Sequence, residues 1–285
     1  MGSSREPVIL SACRTATGRF LGSLAEIPAY RLGGIVVAEA IRRAGLSPAD
    51  VHEVILGNVL QAGQGQNPAR LASLAAGVPE EVPAMTINKL CGSGMKAVHL
   101  AAQAVLCGDA DVLVAGGMEN MSLAPYLLAK ARTGYRMGDG VLEDHLLRDG
   151  LNCGVYGYHM GVTAENVATK YGISREDQDA FALESQRRAA AAMAAGIFKE
   201  EVVPVPVQRG GKVDHENGIP YLGAGAWSVG TRSIDKSELA RRPWIAASAS
   251  ANHYYLIETR DKGFNSVVKG IDGEIIDRFE RDWKR

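Results

Sequence analysis

Between Pro7 and Ala115 the chain alternates short apolar runs with segments of helical period, and no other feature constrains its fold as tightly. The apolar runs are Pro7-Val-Ile-Leu-Ser11, Val51-His-Glu-Val-Ile-Leu56, Ala84-Met-Thr-Ile-Asn-Lys-Leu90 and Asp111-Val-Leu-Val-Ala115. Each is too short for a buried helix and bounded by turn residues, so each reads as a strand. Between them lie a helix from Leu32 to Ala44 closed by Gly45, one from Asn67 to Ala76 with Asn67 as cap and Pro68 in its first turn, and one from Met95 to Leu106. Strands alternating with helices over so short a stretch predict a layered α/β fold: a right-handed, mostly parallel sheet with helices on both faces.

Composition narrows the function classes. Apolar residues make up 46% of the 285 positions and charged ones 22%, as in a globular chain with a real core. The net charge of -1 leaves no global field for nucleic acid or anionic lipid, so an anionic ligand must be held locally. Neither nucleic acid nor membrane is expected as a partner, since no uninterrupted run of eighteen apolar residues occurs. The opening Met1-Gly-Ser-Ser-Arg-Glu-Pro7 lacks the apolar core of a signal peptide, and a cytoplasmic address is the expectation. Cys13, Cys91, Cys107 and Cys153 stand far apart without a C-x-x-C pair. That argues against a disulfide framework or a zinc site, and no metal is expected.

From Glu119 to about Val207 loops give way to helices at Thr163 to Lys170 and Arg175 to Ala195, the second opened by Ser174 with Asp177 three residues on. All three tryptophans fall later, at 227, 244 and 283, and every cysteine earlier. The expected division is a core over 1–118, an inserted helical loop domain over 119–208 and a small α+β tail over 209–285. In the tail, His253 to Arg260 and Phe264 to Ile271 read as a hairpin across Asp-Lys-Gly, followed by a helix from Glu274 to Trp283.

Chemistry centres on Cys91. It ends an apolar strand and precedes a helix whose Met95, Val98, Ala102 and Val105 form one face, while Gly92 and Gly94 permit a tight turn. A thiol at a helix N-terminus meets backbone N–H groups that favour the thiolate and can receive an oxyanion. A cysteine beside glycines can equally be a small buried residue.

Asn88-Lys-Leu-Cys-Gly-Ser-Gly-Met-Lys-Ala-Val98 resembles the acyl-binding cysteine block of the thiolases, the acetyl-CoA acetyltransferases. Other blocks agree in order: Arg14 to Leu24, Gly63-Gln-Gly-Gln-Asn-Pro-Ala-Arg70, Ala115-Gly-Gly-Met-Glu-Asn-Met-Ser122, Gly157-Tyr-His-Met-Gly-Val-Thr-Ala-Glu-Asn166 and Ile173 to Ala182. The resemblance spans roughly residues 6 to 207. It implies that Cys91 takes an acyl group from an acyl-CoA and that His159 and Met160 line the pantetheine tunnel and acyl pocket. It also implies that the turn from Gly116 to Ser122 supports the floor of the site. Cys13, Cys107 and Cys153 match no role and read as structural.

A complete thiolase is similar to two fused copies of this core, and its second half supplies a Cys-x-Gly block, a Gly-His-Pro histidine and an Asn-Glu-Ala-Phe-Ala block. None of these strings follows Val207, where the later histidines are His215 and His253. Ala247-Ser-Ala-Ser-Ala-Asn252 has a faint likeness to the stretch leading into the last strand of the family's first half. Fewer than eighty residues remain after the matched part, too few for a second half at about 100–150 residues per domain.

Two functions follow as expectations. One is acetyl-CoA C-acetyltransferase activity, two acetyl-CoA giving acetoacetyl-CoA and CoA or the reverse thiolysis. It would need no permanently bound cofactor, would use acetyl-CoA and CoA as substrates, and would occur in a homo-oligomer (dimer or tetramer) or beside a complementing second half. The other is a catalytically incomplete half that serves as an interaction module or a relic. A nicotinamide-binding enzyme is excluded, because Gly63-x-Gly65-x-x-Pro68 ends in proline and does not turn a strand into a helix.

Overall fold

The computed structural model describes residues 5–209, 212–214, 253–260, 263–270 and 275–282, with side chains up to Val207. They divide into two compact units, 1–226 and 227–285.

In the first unit the chain forms β1 (Arg14–Thr15), α1 (Ala29–Arg43), β2 (Glu53–Gly57), α2 (Pro68–Ala75), β3 (Ala84–Ile87), α3 (Ser93–Cys107) and β4 (Leu113–Gly117). β2 lies between β3 and β4, and both pairings are parallel, with Val54 opposite Ala84 and Val114. The parallel α/β layer expected from the alternation is present. Side-chain alternation along β2 explains its two faces. Val54 and Leu56 join Val37 and Ile41 of α1 and Ala69 and Ala72 of α2 in the main core. Ile55 points the other way, where α3 packs across β2 and β4.

Local chemistry sets the helix ends. Arg42 and Arg43 sit in the last turn of α1, where positive charge suits the dipole, and Gly45 follows at φ 71°. Asn67, itself at φ 52°, caps α2 by accepting from the Arg70 amide, and Pro68 takes the first helical position. The same Asn67 donates to the Ala84 carbonyl and accepts from Thr86 Oγ1, tying α2 to β3.

Two expectations fail. Residues 7–11 form no strand: Val8, Ile9 and Leu10 are exposed, and the segment stands off the sheet beside a groove of about 910 Å³ bounded by α1, α3 and β4. An apolar run becomes a strand only where a ladder receives its backbone, and here the pairing begins later, at Arg14–Thr15, against a distant segment. α3 meets the strands through its small residues. Met95 is 67% exposed and Val98 exposed, whereas Ser93 and Ala97 are buried against the sheet. The helix is apolar nearly all round, and the side with small residues approaches the strands most closely. By length and composition Leu90–Cys107 is apolar enough to cross a membrane, although no such segment was expected; it nonetheless packs on the sheet.

After β4 come two short strands, β5 (Tyr126–Leu127) and β6 (Glu143–Asp144), paired antiparallel, and then α4 (Met160–Tyr171) and α5 (Arg175–Ala194). Ser174 and Asp177 make a reciprocal capping box on α5, and Gly196 follows it at φ 69°. β7 (Val202–Val203) returns to pair in parallel with β1, and β8 (Val207–Arg209) pairs antiparallel with β9 (Lys212–Asp214).

The second unit contains β10 (His253–Arg260), β11 (Gly263–Gly270) and β12 (Ile275–Asp282) as an antiparallel meander. The expected hairpin is present, with Arg260 opposite Gly263. The second failed expectation is the helix over Glu274 to Trp283, where Ile275–Asp282 is a strand, so the described part of the tail is β alone rather than α+β. Asp272-Gly273 is a hairpin signal, and the β-branched pair Ile275-Ile276 favours the strand it opens. His215, Ala247 to Asn252 and the three tryptophans lie outside the described residues.

Candidate active site

Cys91 occupies a turn whose geometry is set from both sides. β3 ends at Ile87 and α3 begins at Ser93, so five residues reverse the chain. Leu90 adopts φ 49°, a left-handed conformation that costs a non-glycine residue about 1–2 kcal/mol. Its amide donates to Asn88 Oδ1 at 2.9 Å, and its carbonyl accepts from the Ser93 amide at 3.0 Å and from Ser93 Oγ at 2.6 Å. Ser93 Oγ also accepts from the Lys89 amide at 2.7 Å. Cys91 is exposed and immediately precedes Gly92, the N-cap of α3.

Glycines bring this turn down onto the sheet. A Cβ at Gly57 would lie 2.5 Å from Ser93 Cβ, 2.7 Å from Ser93 C and 2.8 Å from the Gly94 nitrogen. At Gly117 it would come within 3.2 Å of Gly94 Cα. The Cys91 turn and the first turn of α3 therefore rest on the C-terminal ends of β2 and β4, where ligands of parallel α/β sheets commonly bind.

Residues just past the ends of β2 and β4 add a polar floor. Asn58 donates to the Met118 carbonyl at 3.2 Å and to Glu119 Oε1 at 2.7 Å. Glu119 accepts further from the amides of Val59 at 2.8 Å and Leu60 at 3.2 Å. Burial pushes the Glu119 carboxyl up, opposed by these hydrogen bonds and by the nearby His145. Asn120 Nδ2 donates to the carbonyls of Leu24, Ala25 and Ile27, fixing the loop before α1. Within the stretch from Gly116 to Ser122, Gly117 meets the start of α3, Glu119 bonds the loop after β2 and Asn120 bonds the loop before α1.

His159 and Met160 open α4, with His159 Nδ1 accepting from the Gly161 amide at 3.0 Å as the helix cap. Both are exposed, and no hydrogen bond joins His159 to Cys91 among the described residues. Cys91 does not line the groove beside the N-terminal segment. Cys13 donates to the Val36 carbonyl at 3.3 Å, and burial pushes its thiol up, as suits a structural residue. No cluster of metal-ligating side chains occurs among the described residues.

Sequence reasoning passed over Gly57, Asn58, Asn88 and Ser93. Their signal was positional: a glycine and an amide at the end of a strand, and a hydroxyl two residues after the cysteine.

The described residues thus hold a parallel sheet with a cysteine turn seated on its strand ends, followed by a pair of helices. The model of the thiolase N-terminal domain matches residues 7–220. Acetyl-CoA acetyltransferase of Escherichia coli (strain K12) is 62% identical over 201 residues, 70% of this chain and 51% of the relative. The protein of the same name from Pseudomonas aeruginosa is 57% identical over 209 residues, 73% and 53%. A probable acetyl-CoA acyltransferase of Staphylococcus epidermidis is 51% identical over 200 residues, 70% and 51%. The chain belongs to the thiolase family. It spans about half the length of the curated relatives it matches.

Proposed function

We propose that this chain carries the acyl-accepting half of a thiolase reaction, with Cys91 as the acyl carrier and acetyl-CoA as donor. The observation that supports this most directly is the seating of an exposed cysteine on the strand ends by a left-handed residue and two close glycine contacts. In the step proposed, Cys91 Sγ bonds to the acyl carbonyl carbon, the carbon–sulfur bond to CoA breaks, and the proton of the Cys91 thiol leaves with CoA as its thiol. His159 and Met160 lie on the CoA side, and no resident cofactor or metal takes part. The full reaction is acetyl-CoA C-acetyltransfer to acetoacetyl-CoA or its reversal, in a cytoplasmic homo-oligomer or with a complementing second half. Carbon–carbon bond formation requires a further base at the α-carbon of the second acyl-CoA, to which no residue of this chain is assigned.

A second reading, an incomplete half that acts by association, is favoured by the outward apolar side of α3, where Met95, Val98 and Leu106 are exposed, and by the exposed Leu90 in the turn before it.

Incubation with acetyl-CoA followed by mass spectrometry separates the two readings. An adduct of acetyl mass on Cys91, lost in Cys91→Ser, supports the carrier. A folded, unmodified protein sinks it. Thiolysis of acetoacetyl-CoA by the wild type tests whether the chain completes the cycle.

A further inference from the structure

Leu90 holds a conformation that its own side chain opposes. At φ 49° it sits in the left-handed region, yet its side chain is 57% exposed, so core packing does not compensate the strain. What holds it is hydrogen bonding, and the inward part comes from one residue. Ser93 is 4% exposed and wedged against Gly57. Its hydroxyl donates to the Leu90 carbonyl at 2.6 Å and accepts from the Lys89 amide at 2.7 Å, so a single oxygen bridges the Asn88–Lys89 and Leu90–Cys91 peptide groups, which bracket Lys89 and the strained Leu90.

We propose that Ser93 is the positioning residue of the acyl-transfer step: its hydroxyl keeps Leu90 left-handed and thereby fixes where the Cys91 thiol stands on the strand ends. This rests on Cys91 being the acyl carrier. Ser93 acts through Leu90 and touches no substrate. Removing the hydroxyl leaves the Lys89 amide without its acceptor and allows Leu90 to relax toward negative φ, which moves the next residue, Cys91. Because glycine takes positive φ without penalty, the same loss should be repairable three residues earlier, at Leu90 itself.

The test uses the 285-residue chain and acetyl-CoA, following acetylation of Cys91 by rapid quench and mass spectrometry. Ser93→Ala is expected to slow acetylation at saturating acetyl-CoA by about 10–100-fold, the range for a misplacement near 1 Å. The half-saturating concentration should move by less than about threefold, since no binding contact is lost. Adding Leu90→Gly to Ser93→Ala should recover at least about tenfold of the rate, a rescue that general destabilisation does not give. Leu90→Val keeps the core and Ser93 intact but places a β-branched residue at positive φ, and it should slow acetylation as well. If Ser93→Ala does not fold, Leu90→Val decides alone. Wild type acetylated on Cys91 with Ser93→Ala or Leu90→Val equally fast overturns the positioning role and leaves the carrier standing. Wild type that never acquires the adduct overturns both.

Discussion

Gly57→Ala is the sharpest test of how the Cys91 turn is seated. The added methyl would meet Ser93 Cβ at 2.5 Å, Ser93 C at 2.7 Å and the Gly94 nitrogen at 2.8 Å. Ordinary contacts of a Cβ begin near 3.4 Å, so the first turn of α3 must retreat by about 0.6–0.9 Å. Two of the three atoms are backbone, so no side-chain rotation relieves the overlap. Overpacking of this kind costs about 1–3 kcal/mol, of which removing a strand glycine returns about 0.5–1 kcal/mol. A net loss of about 1–2 kcal/mol lowers Tm by about 2–8 °C in a chain of this size. Urea titration should show the midpoint fall with m unchanged, and acetylation of Cys91 should slow by about tenfold or more. Gly94→Ala is the matched control, because its Cβ would meet only Gly117 and Gly116 backbone atoms at 3.5–3.7 Å. It should be neutral or slightly stabilising, since alanine is the better helix former by about 0.8–1 kcal/mol. A Gly57→Ala protein with wild-type midpoint and rate, or a Gly94→Ala protein that suffers more, would refute the close approach.

Glu119→Gln should cost about 1–3 kcal/mol in urea unfolding, because an amide cannot accept from Asn58, Val59 and Leu60 as the carboxylate does. The Glu119 carboxyl is raised in the folded state, so the stability it contributes is full below about pH 4.3 and is lost as pH rises through the folded value; the variant should lack that slope. Glu39 behaves oppositely: hydrogen bonds from Arg42 and Arg43 hold its carboxyl down at about 2. Its contribution is present above about pH 4.3 and disappears as pH falls through about 2, so Glu39→Gln should flatten acid unfolding in that window and cost only about 0.5–1 kcal/mol at pH 7. Asn120→Ala removes a donor shared by three carbonyls and should lower Tm by about 2–6 °C, with faster amide exchange confined to the loop before α1.

What the sequence revealed best was punctuation. Asn67-Pro68, Ser174 with Asp177, and Gly45 act within a few residues of themselves, and each terminates or caps a helix where expected. The cysteine turn was legible for the same reason, since its strand-to-helix switch is local, although the left-handed residue within it is Leu90 rather than Gly92 or Gly94. Three things were not legible. Whether Pro7 to Ser11 becomes a strand depends on a ladder supplied from elsewhere in the chain. Which side of α3 faces the sheet depends on Gly57 and Gly117, since only small residues can meet a backbone so near, and periodicity alone does not choose it. The helix expected at 274–283 gave way to a strand over Ile275–Asp282, whose β-branched opening pair favours the ladder it joins on β11. The site itself was half visible: Cys91 stood out by type, while Ser93 and Glu119 matter through bonds to backbone groups that no spacing rule exposes.

The two-residue pairing of Arg14–Thr15 with Val202–Val203 is small, yet it joins points 188 residues apart in sequence, reinforced by the Arg14 amide bonding the Glu201 carbonyl at 2.9 Å and by the Arg14–Glu201 ion pair. Closing so long a loop costs about 2 kcal/mol more than closing one of fifteen residues, since each doubling adds about 0.6 kcal/mol. Two ladder positions and a half-exposed ion pair offset little of that. The β1–β7 clasp should therefore be the last contact to close during folding and the first to open afterwards. Its opening frees the N-terminal segment while the three-stranded sheet stays intact, so early proteolytic nicks should fall before Ala29 rather than in the Cys91 turn.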